Sequence, residues 1–200
     1  ETRQQILVFT DISLHALQYV GPPFTFGINM ISDNITIRSP SSVAAVQDTV
    51  YWMGKSEFYV YNGGVQTLPC SVKDYVFSDF NAAQAEKTFA AVNSAFSEVW
   101  WFYPSSSSDN NDRYVVYNYL QGIWYYGTMV RTAWIDRGVE ENPIAAGRDG
   151  YLYNHEVGFD DGSTTPASAI SAFIESSQFD LGEGDSFSFV RRLIPDLTFR

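Results

Sequence analysis

Between residues 96 and 127 the chain runs through three segments dominated by aromatic and β-branched residues, separated by two polar interruptions. The first is Glu98-Val-Trp-Trp-Phe-Tyr-Pro104. A serine- and Asp/Asn-rich loop at 105–112 follows, then Arg113-Tyr-Val-Val-Tyr-Asn-Tyr-Leu120, a turn at Gln121-Gly122, and Ile123-Trp-Tyr-Tyr-Gly127. Such composition with such punctuation predicts three consecutive antiparallel strands. Successive strand residues point to opposite faces, so Val99, Trp101 and Tyr103 oppose Trp100 and Phe102. Val115, Tyr117 and Tyr119 likewise oppose Tyr114, Val116 and Leu120. A sheet with one wet face alternates apolar with polar residues. This one is apolar on both faces, so both must be covered. A propeller blade clamped between two neighbouring blades meets that requirement, and a central strand of a sandwich is the alternative.

The rest of the chain divides around this stretch. Extended segments at 6–9, 14–20 and 24–31 precede a Ser-Pro loop at 39–42. A second set follows at 43–46, 49–53, 57–61 and 65–68, with Gly54-Lys55-Ser56 and Asn62-Gly63-Gly64 as turns. Residues 71–88 hold the expected helical insertion, two short helices with a break near Phe80. Ser71 is the expected cap of the first, and Asn81 with Gln84 forms a capping-box-like start for the second. Residues 89–92 return to pair with the Glu98 strand. Beyond Gly127, strands are expected at 128–134, 144–146, 151–153, 170–174, 187–193 and 194–199. The expected fold is therefore mainly β: propeller-like antiparallel blades in about four irregular units at 5–38, 43–70, 89–127 and 128–199, forming one domain over 1–200.

A weak internal repeat supports blades. Met53-Gly54-Lys-Ser-Glu-Phe-Tyr59-Val-Tyr61-Asn62 parallels Ala146-Gly147-Arg-Asp-Gly-Tyr-Leu-Tyr153-Asn154. Taking Leu17, Tyr61, Tyr117 and Tyr153 as equivalent gives intervals of 44, 56 and 36 residues, around the period of known blade repeats. Four units make a small propeller, and extended sequence running to both termini fits an incomplete piece of a larger one equally. The residues expected to fill the core and the inter-blade faces are Trp52, Tyr59 and Tyr61 in the second unit. In the third they are Trp100, Trp101, Tyr117 and Trp124, and in the fourth Trp134 and Tyr153.

Charge and residue inventory exclude several chemistries. The formal net charge is −11 and no Lys/Arg cluster exceeds Arg191-Arg192, so sequence-specific nucleic-acid binding is not expected. A single cysteine, Cys70, cannot form an internal disulfide and reads as a small buried hydrophobe. The two histidines, His15 and His155, have no Cys or His at metal spacing. No nucleophile elbow or phosphate loop is present. The acidic loops at 109–112 and 160–163 lack the full calcium pattern. Glu98, set among strand apolars, reads as a charge at a blade edge, with a buried acid as the alternative. No catalytic residue, metal or cofactor is therefore assigned.

Several motifs together resemble a known family. They are Tyr51-Trp-Met-Gly54 with Tyr59-Val-Tyr61, then Leu68-Pro-Cys70 with Asp74-Tyr-Val-Phe77. Glu98-Val-Trp-Trp-Phe-Tyr-Pro104, Thr132-Ala-Trp-Ile-Asp136 and Arg191-Arg-Leu-Ile-Pro-Asp196 extend the pattern over nearly the whole chain. It resembles the β-propeller tail hub, or nozzle, proteins of short-tailed bacteriophages, also called packaged-DNA stabilisation proteins. The resemblance implies a non-enzymatic virion protein, made in the bacterial cytoplasm and built into the tail. It implies a homo-oligomeric ring below the portal and adaptor proteins, outward contacts to tail fibres or tailspikes, and passive contact with the DNA that the channel conducts. From the residues themselves, a carbohydrate-binding propeller using exposed aromatics is the alternative, and a propeller glycosidase a third reading.

Overall fold

The computed structural model describes residues 5–160 and, further on, residues 165, 166, 168–170, 173, 175, 189, 191, 192 and 194. The chain divides into two units, Glu1–Val157 and Gly158–Arg200. The second shows an antiparallel bridge between Asp160 and Ala169. The strands expected at 170–174, 187–193 and 194–199 lie largely outside the described residues.

The first unit is mainly β. It contains four antiparallel sheets, and in each the strands follow one another in chain order. The first sheet is β1 (Ile6–Phe9), β2 (Leu14–Tyr19) and β3 (Phe26–Ser32). The second is β4 (Val43–Val46), β5 (Thr49–Met53), β6 (Phe58–Tyr61) and β7 (Val65–Leu68). The third is β8 (Phe89–Asn93), β9 (Glu98–Tyr103), β10 (Arg113–Asn118) and β11 (Ile123–Thr128). The fourth is β12 (Ala133–Ile135), β13 (Ile144–Ala146) and β14 (Leu152–Asn154). Short turns join most neighbours, and longer loops at 104–112 and 136–143 join β9 to β10 and β12 to β13.

The sheets stack face to face in sequence order. One apolar cluster joins the first sheet to the second, through Leu14 against Trp52 and Tyr61. A second joins the second sheet to the third, through Met53 and Phe58 against Trp101 and Tyr103. A third joins the third sheet to the fourth, through Trp100 and Phe102 against Trp134. The parity read from the sequence is the parity observed: Val99, Trp101, Tyr103 and Val115 face one neighbour, Trp100, Phe102 and Val116 the other. All six residues of β9 are buried. Leu120 departs from the expectation and is exposed. Its strand has ended at Asn118, whose side-chain oxygen accepts from the backbone N–H groups of Leu120 and Gln121 at 3.1 and 2.9 Å, turning the chain away.

The second, third and fourth sheets come closest along their first strands, β4 with β8 and β8 with β12. These strands carry Ala44, Ala45, Ala90, Ala91 and Ala133, small enough for backbones to converge. Ala90 N–H donates to the Ser41 carbonyl at 2.7 Å across one such approach. Convergence of successive antiparallel sheets on their first strands fits propeller-like blades.

The insertion comprises α1 (Lys73–Ser78) and a 3₁₀ helix, Ala82–Lys87, on either side of the expected break. Asn81 caps the second, accepting from Ala83 N–H at 3.1 Å. Ser71 does not cap the first. Val72 occupies that position without a side-chain cap, because the chain enters through a turn in which Lys73 N–H donates to the Cys70 carbonyl. Val76 is the residue this short helix buries, into the core between the second and third sheets.

Candidate functional site: the faces between the sheets

The tryptophans lie where sheets meet, and their polar edges tie one segment to another. Trp101, fully buried, donates its indole N–H to the Ser42 carbonyl at 3.0 Å, reaching from the third sheet to the entry of the second. Trp124 donates to the Pro69 carbonyl at 2.8 Å, just past β7. Trp134 donates from the fourth sheet to Val92 on the third at 2.9 Å. Trp52 donates to Thr36 at 3.1 Å, in the segment joining the first sheet to the second. A buried indole N–H without an acceptor costs free energy, so the bond of the buried Trp101 indole fixes sheet spacing as well as filling it. The rings complete the contacts: Phe58 packs on Trp101 and Trp124 at 5.0 and 4.7 Å, and Trp100 stacks on Trp134 at 5.6 Å.

The tyrosines take different positions. Tyr61 is buried and Tyr59 half-buried between the first two sheets, the latter stacked on Trp52 at 5.2 Å. Tyr117 packs at the edge of the core between the second and third sheets, against Trp124 at 4.7 Å. Tyr153 lies in none of the three clusters. It is half-exposed on β14, with Arg131 over its ring at 4.3 Å and its hydroxyl bonded to Asp149.

The two glycine turns share a steric feature, in a register that matches Tyr153 to Tyr59 and not to the Tyr61 of the repeat. Gly54 N–H donates to the Glu57 carbonyl at 2.8 Å and Gly147 N–H to the Tyr151 carbonyl at 2.9 Å, closing turns that differ by one residue in length. A Cβ on Gly54 would lie 2.6 Å from the Tyr59 ring, and one on Gly147 2.7 Å from the Tyr153 ring. In both copies an aromatic lies over the glycine, a pairing that restores contact where the backbone has no side chain. Tyr61, Tyr117 and Tyr153 each sit on the third strand of a four- or three-stranded sheet.

Glu98 corrects the edge-charge reading. It is only 8% exposed, accepting from the Trp100 indole N–H at 2.9 Å and from the Tyr125 hydroxyl. Burial and this bond raise the Tyr125 pKa, holding the phenol protonated. Close by, buried Asn93 donates its amide to Glu156 at 3.2 Å. Burial, then repulsion from Glu98, raises the Glu156 pKa. Next in the chain, His155 packs on the Trp134 ring at 4.6 Å and accepts from Arg131 at 3.0 Å. Burial, followed by the Arg131 charge, pushes His155 down to about 4, so it is neutral at pH 7. This polar group sits where the fourth sheet meets the third and anchors side chains of both. The Tyr125 and Asn93 partners were not visible in sequence because they arrive from other strands.

Other candidates are accounted for locally. Burial pushes the Cys70 thiol up to about 11, which leaves it protonated and a poor nucleophile. In the 105–112 loop, Asp112 accepts from the Ser105 N–H and hydroxyl at 2.7 and 2.8 Å. The other acidic loop, 160–163, lies outside the described residues apart from Asp160. Among the described residues no group of three His, Cys, Asp or Glu side chains is arranged to hold a metal ion. Arg38, which the sequence did not single out, lies 4.0 Å over the Phe80 ring and donates to the Lys55 carbonyl. It ties the helical insertion to the segment between the first two sheets.

Neither a protein-family model nor a curated protein sequence matches the chain.

Proposed function

We propose that this chain is a non-enzymatic structural protein of a bacteriophage virion, a tail hub or nozzle subunit. In this reading it forms a ring below the portal and adaptor, meets tail fibres or tailspikes outside, and lets DNA pass during ejection. The observation that carries the reading is the position of the motif residues. Trp52, Trp101 and Trp134, each inside one of the quoted motifs, are the rings that hold consecutive sheets together. The motifs are thus architectural, as expected of a protein whose task is to be rigid. Trp100 and Trp101 are buried and cannot stack on a sugar, which favours architecture over the carbohydrate-binding reading.

Passive conduction agrees with charge. Each phosphate-neutralising Lys or Arg would add salt-dependent affinity and hold the duplex, whereas a net charge of −11 repels it. Immunogold labelling of virions of the encoding phage with antibody to this chain tests the role. Label at the tail below the portal is the expected result, and virions free of the chain would refute it. Linear duplex DNA should not bind at physiological salt. Micromolar binding that tightens at low salt would contradict a passive conduit.

A further inference from the structure

Three asparagines stand at the ends of third strands. Asn62 follows the last residue of β6, while Asn118 and Asn154 close β10 and β14. Asparagine is a thermolabile residue. Its side-chain carbon is open to attack by the backbone nitrogen of the next residue, because the two lie in one chain at the spacing of a five-membered ring, and proximity replaces collision. The reaction needs that nitrogen to be free. A backbone N–H held by an acceptor keeps its proton and its position.

At two of the three strand ends the nitrogen is held. After Asn118, the Tyr119 N–H donates to the Ser97 carbonyl at 3.0 Å. The Asn118 amide is fixed as well, donating to the Phe96 carbonyl at 3.0 Å and accepting from Leu120 and Gln121. After Asn154, the His155 N–H donates to the Pro143 carbonyl at 2.8 Å. Elsewhere, the N–H groups after Asn93 and Asn111 donate to Asp136 and to the Tyr103 carbonyl, at 3.2 and 3.3 Å. Asn142 precedes a proline, which has no N–H.

Asn62 differs on each count. Its side chain is exposed, and among the described residues neither its amide nor the Gly63 N–H has a hydrogen-bond partner. The loop is closed around them, by the Asn62 N–H donating to the Gly64 carbonyl at 3.3 Å. Gly63 has a φ of 102°. A Cβ on Gly63 or Gly64 would meet nothing within 4 Å. Two consecutive glycines in open space give the backbone the freedom to bring the Gly63 nitrogen onto the amide carbon.

We propose that Asn62 is a self-modification site, converting without an enzyme to aspartate and isoaspartate. The Gly63 nitrogen loses its proton to solvent base and bonds to Asn62 Cγ. The Cγ–Nδ2 bond breaks, and Nδ2 takes up a proton and leaves as ammonia. Water then opens the five-membered imide. Opening at Cγ gives aspartate, and opening at the backbone carbonyl gives isoaspartate, with no change in oxidation state. Each event puts a negative charge on the loop between β6 and β7, and the isoaspartate route also inserts a carbon into its backbone. The chemistry is independent of the virion role.

The test incubates the folded 200-residue chain at mildly alkaline pH and physiological temperature, then follows each asparagine by peptide mass spectrometry, with isoaspartate resolved chromatographically. The Asn62 peptide should lose its amide severalfold faster than the Asn118 and Asn154 peptides, and faster still as pH rises. Isoaspartate should accompany aspartate. Gly63→Ala should slow the loss by crowding the attacking nitrogen, and Asn62→Gln should stop it, since its ring would need a sixth member. A parallel incubation in urea supplies the unfolded reference. An Asn62 amide that survives in the folded chain but is lost in urea would overturn the proposal, as the hairpin would then hold the two groups apart. So would Asn118 or Asn154 reacting as fast as Asn62 in the folded chain, or aspartate forming without isoaspartate, which would exclude the cyclic route.

Discussion

The first and third sheets carry the same kind of sequence in opposite circumstances. Both are apolar on two faces. In the third, β9 has a sheet on each side and all six residues are buried. In the first, the face holding Leu14 is covered, while that holding Ile28 is open. Covering a sheet is thus a property of its place in the stack. Strand patterning states that a partner is needed, and among the described residues the place of the sheet in the stack decides which face has one.

The covered sheet is the more sensitive to truncation. Trp101→Ala removes a fully buried ring and its bond to Ser42, and should cost about 3–5 kcal/mol by urea unfolding. Ile28→Ala, on the open face, should shift stability by less than about 0.5 kcal/mol in monomeric solution. Equal losses at the two sites would abolish the distinction. Gly54→Ala comes next, because its Cβ meets both the Tyr59 ring and the Thr36 carbonyl oxygen, the latter at 2.9 Å. Overpacking there should cost about 1–3 kcal/mol, read as a lowered melting temperature. Glu98→Ala leaves the Trp100 N–H and Tyr125 O–H without their acceptor, for a loss of similar size, about 1–3 kcal/mol. Full stability in that variant would return Glu98 to the blade edge.

The smallest expected effect is a pH dependence. His155 lies near 4 in the folded protein against 6.5 for the free side chain. The unfolded chain therefore binds more protons in between, and stability should fall as pH is lowered across that window. The loss should be on the order of 1 kcal/mol, since His155 is only partly buried. Glu156, with its pKa raised, acts in the opposite sense, favouring the fold as pH falls. His155→Gln should flatten the stability profile between pH 6.5 and 4. An unchanged slope would show that the histidine is not held neutral.

Strand positions and face parity were legible in sequence because a period of two leaves a direct imprint, seen in β9 and β10. The break between the two short helices was legible through Asn81. What could not be read depended on distant partners. Glu98 reads as an edge charge until Tyr125, on another strand, supplies its hydroxyl. Ser71 has the chemistry of a cap, but the preceding turn moves the helix start past it. Tyr153 matches Tyr61 by repeat, yet has Arg131 and Asp149 around it because the fourth sheet presents it half-exposed. Of the candidate site, sequence yielded the tryptophans and missed their carbonyl acceptors, which belong to other sheets or the segments between them.

Consecutive sheets stack through specific ring contacts, and a double-mutant cycle between Phe58 and Trp101 measures one of them. These rings belong to the second and third sheets, with centroids 5.0 Å apart. Phe58→Leu and Trp101→Phe, alone and combined, are compared by equilibrium unfolding. A coupling of about 0.5–1.5 kcal/mol is expected. Strict additivity, with coupling below about 0.3 kcal/mol, is the behaviour of residues that do not touch. It would contradict the stack.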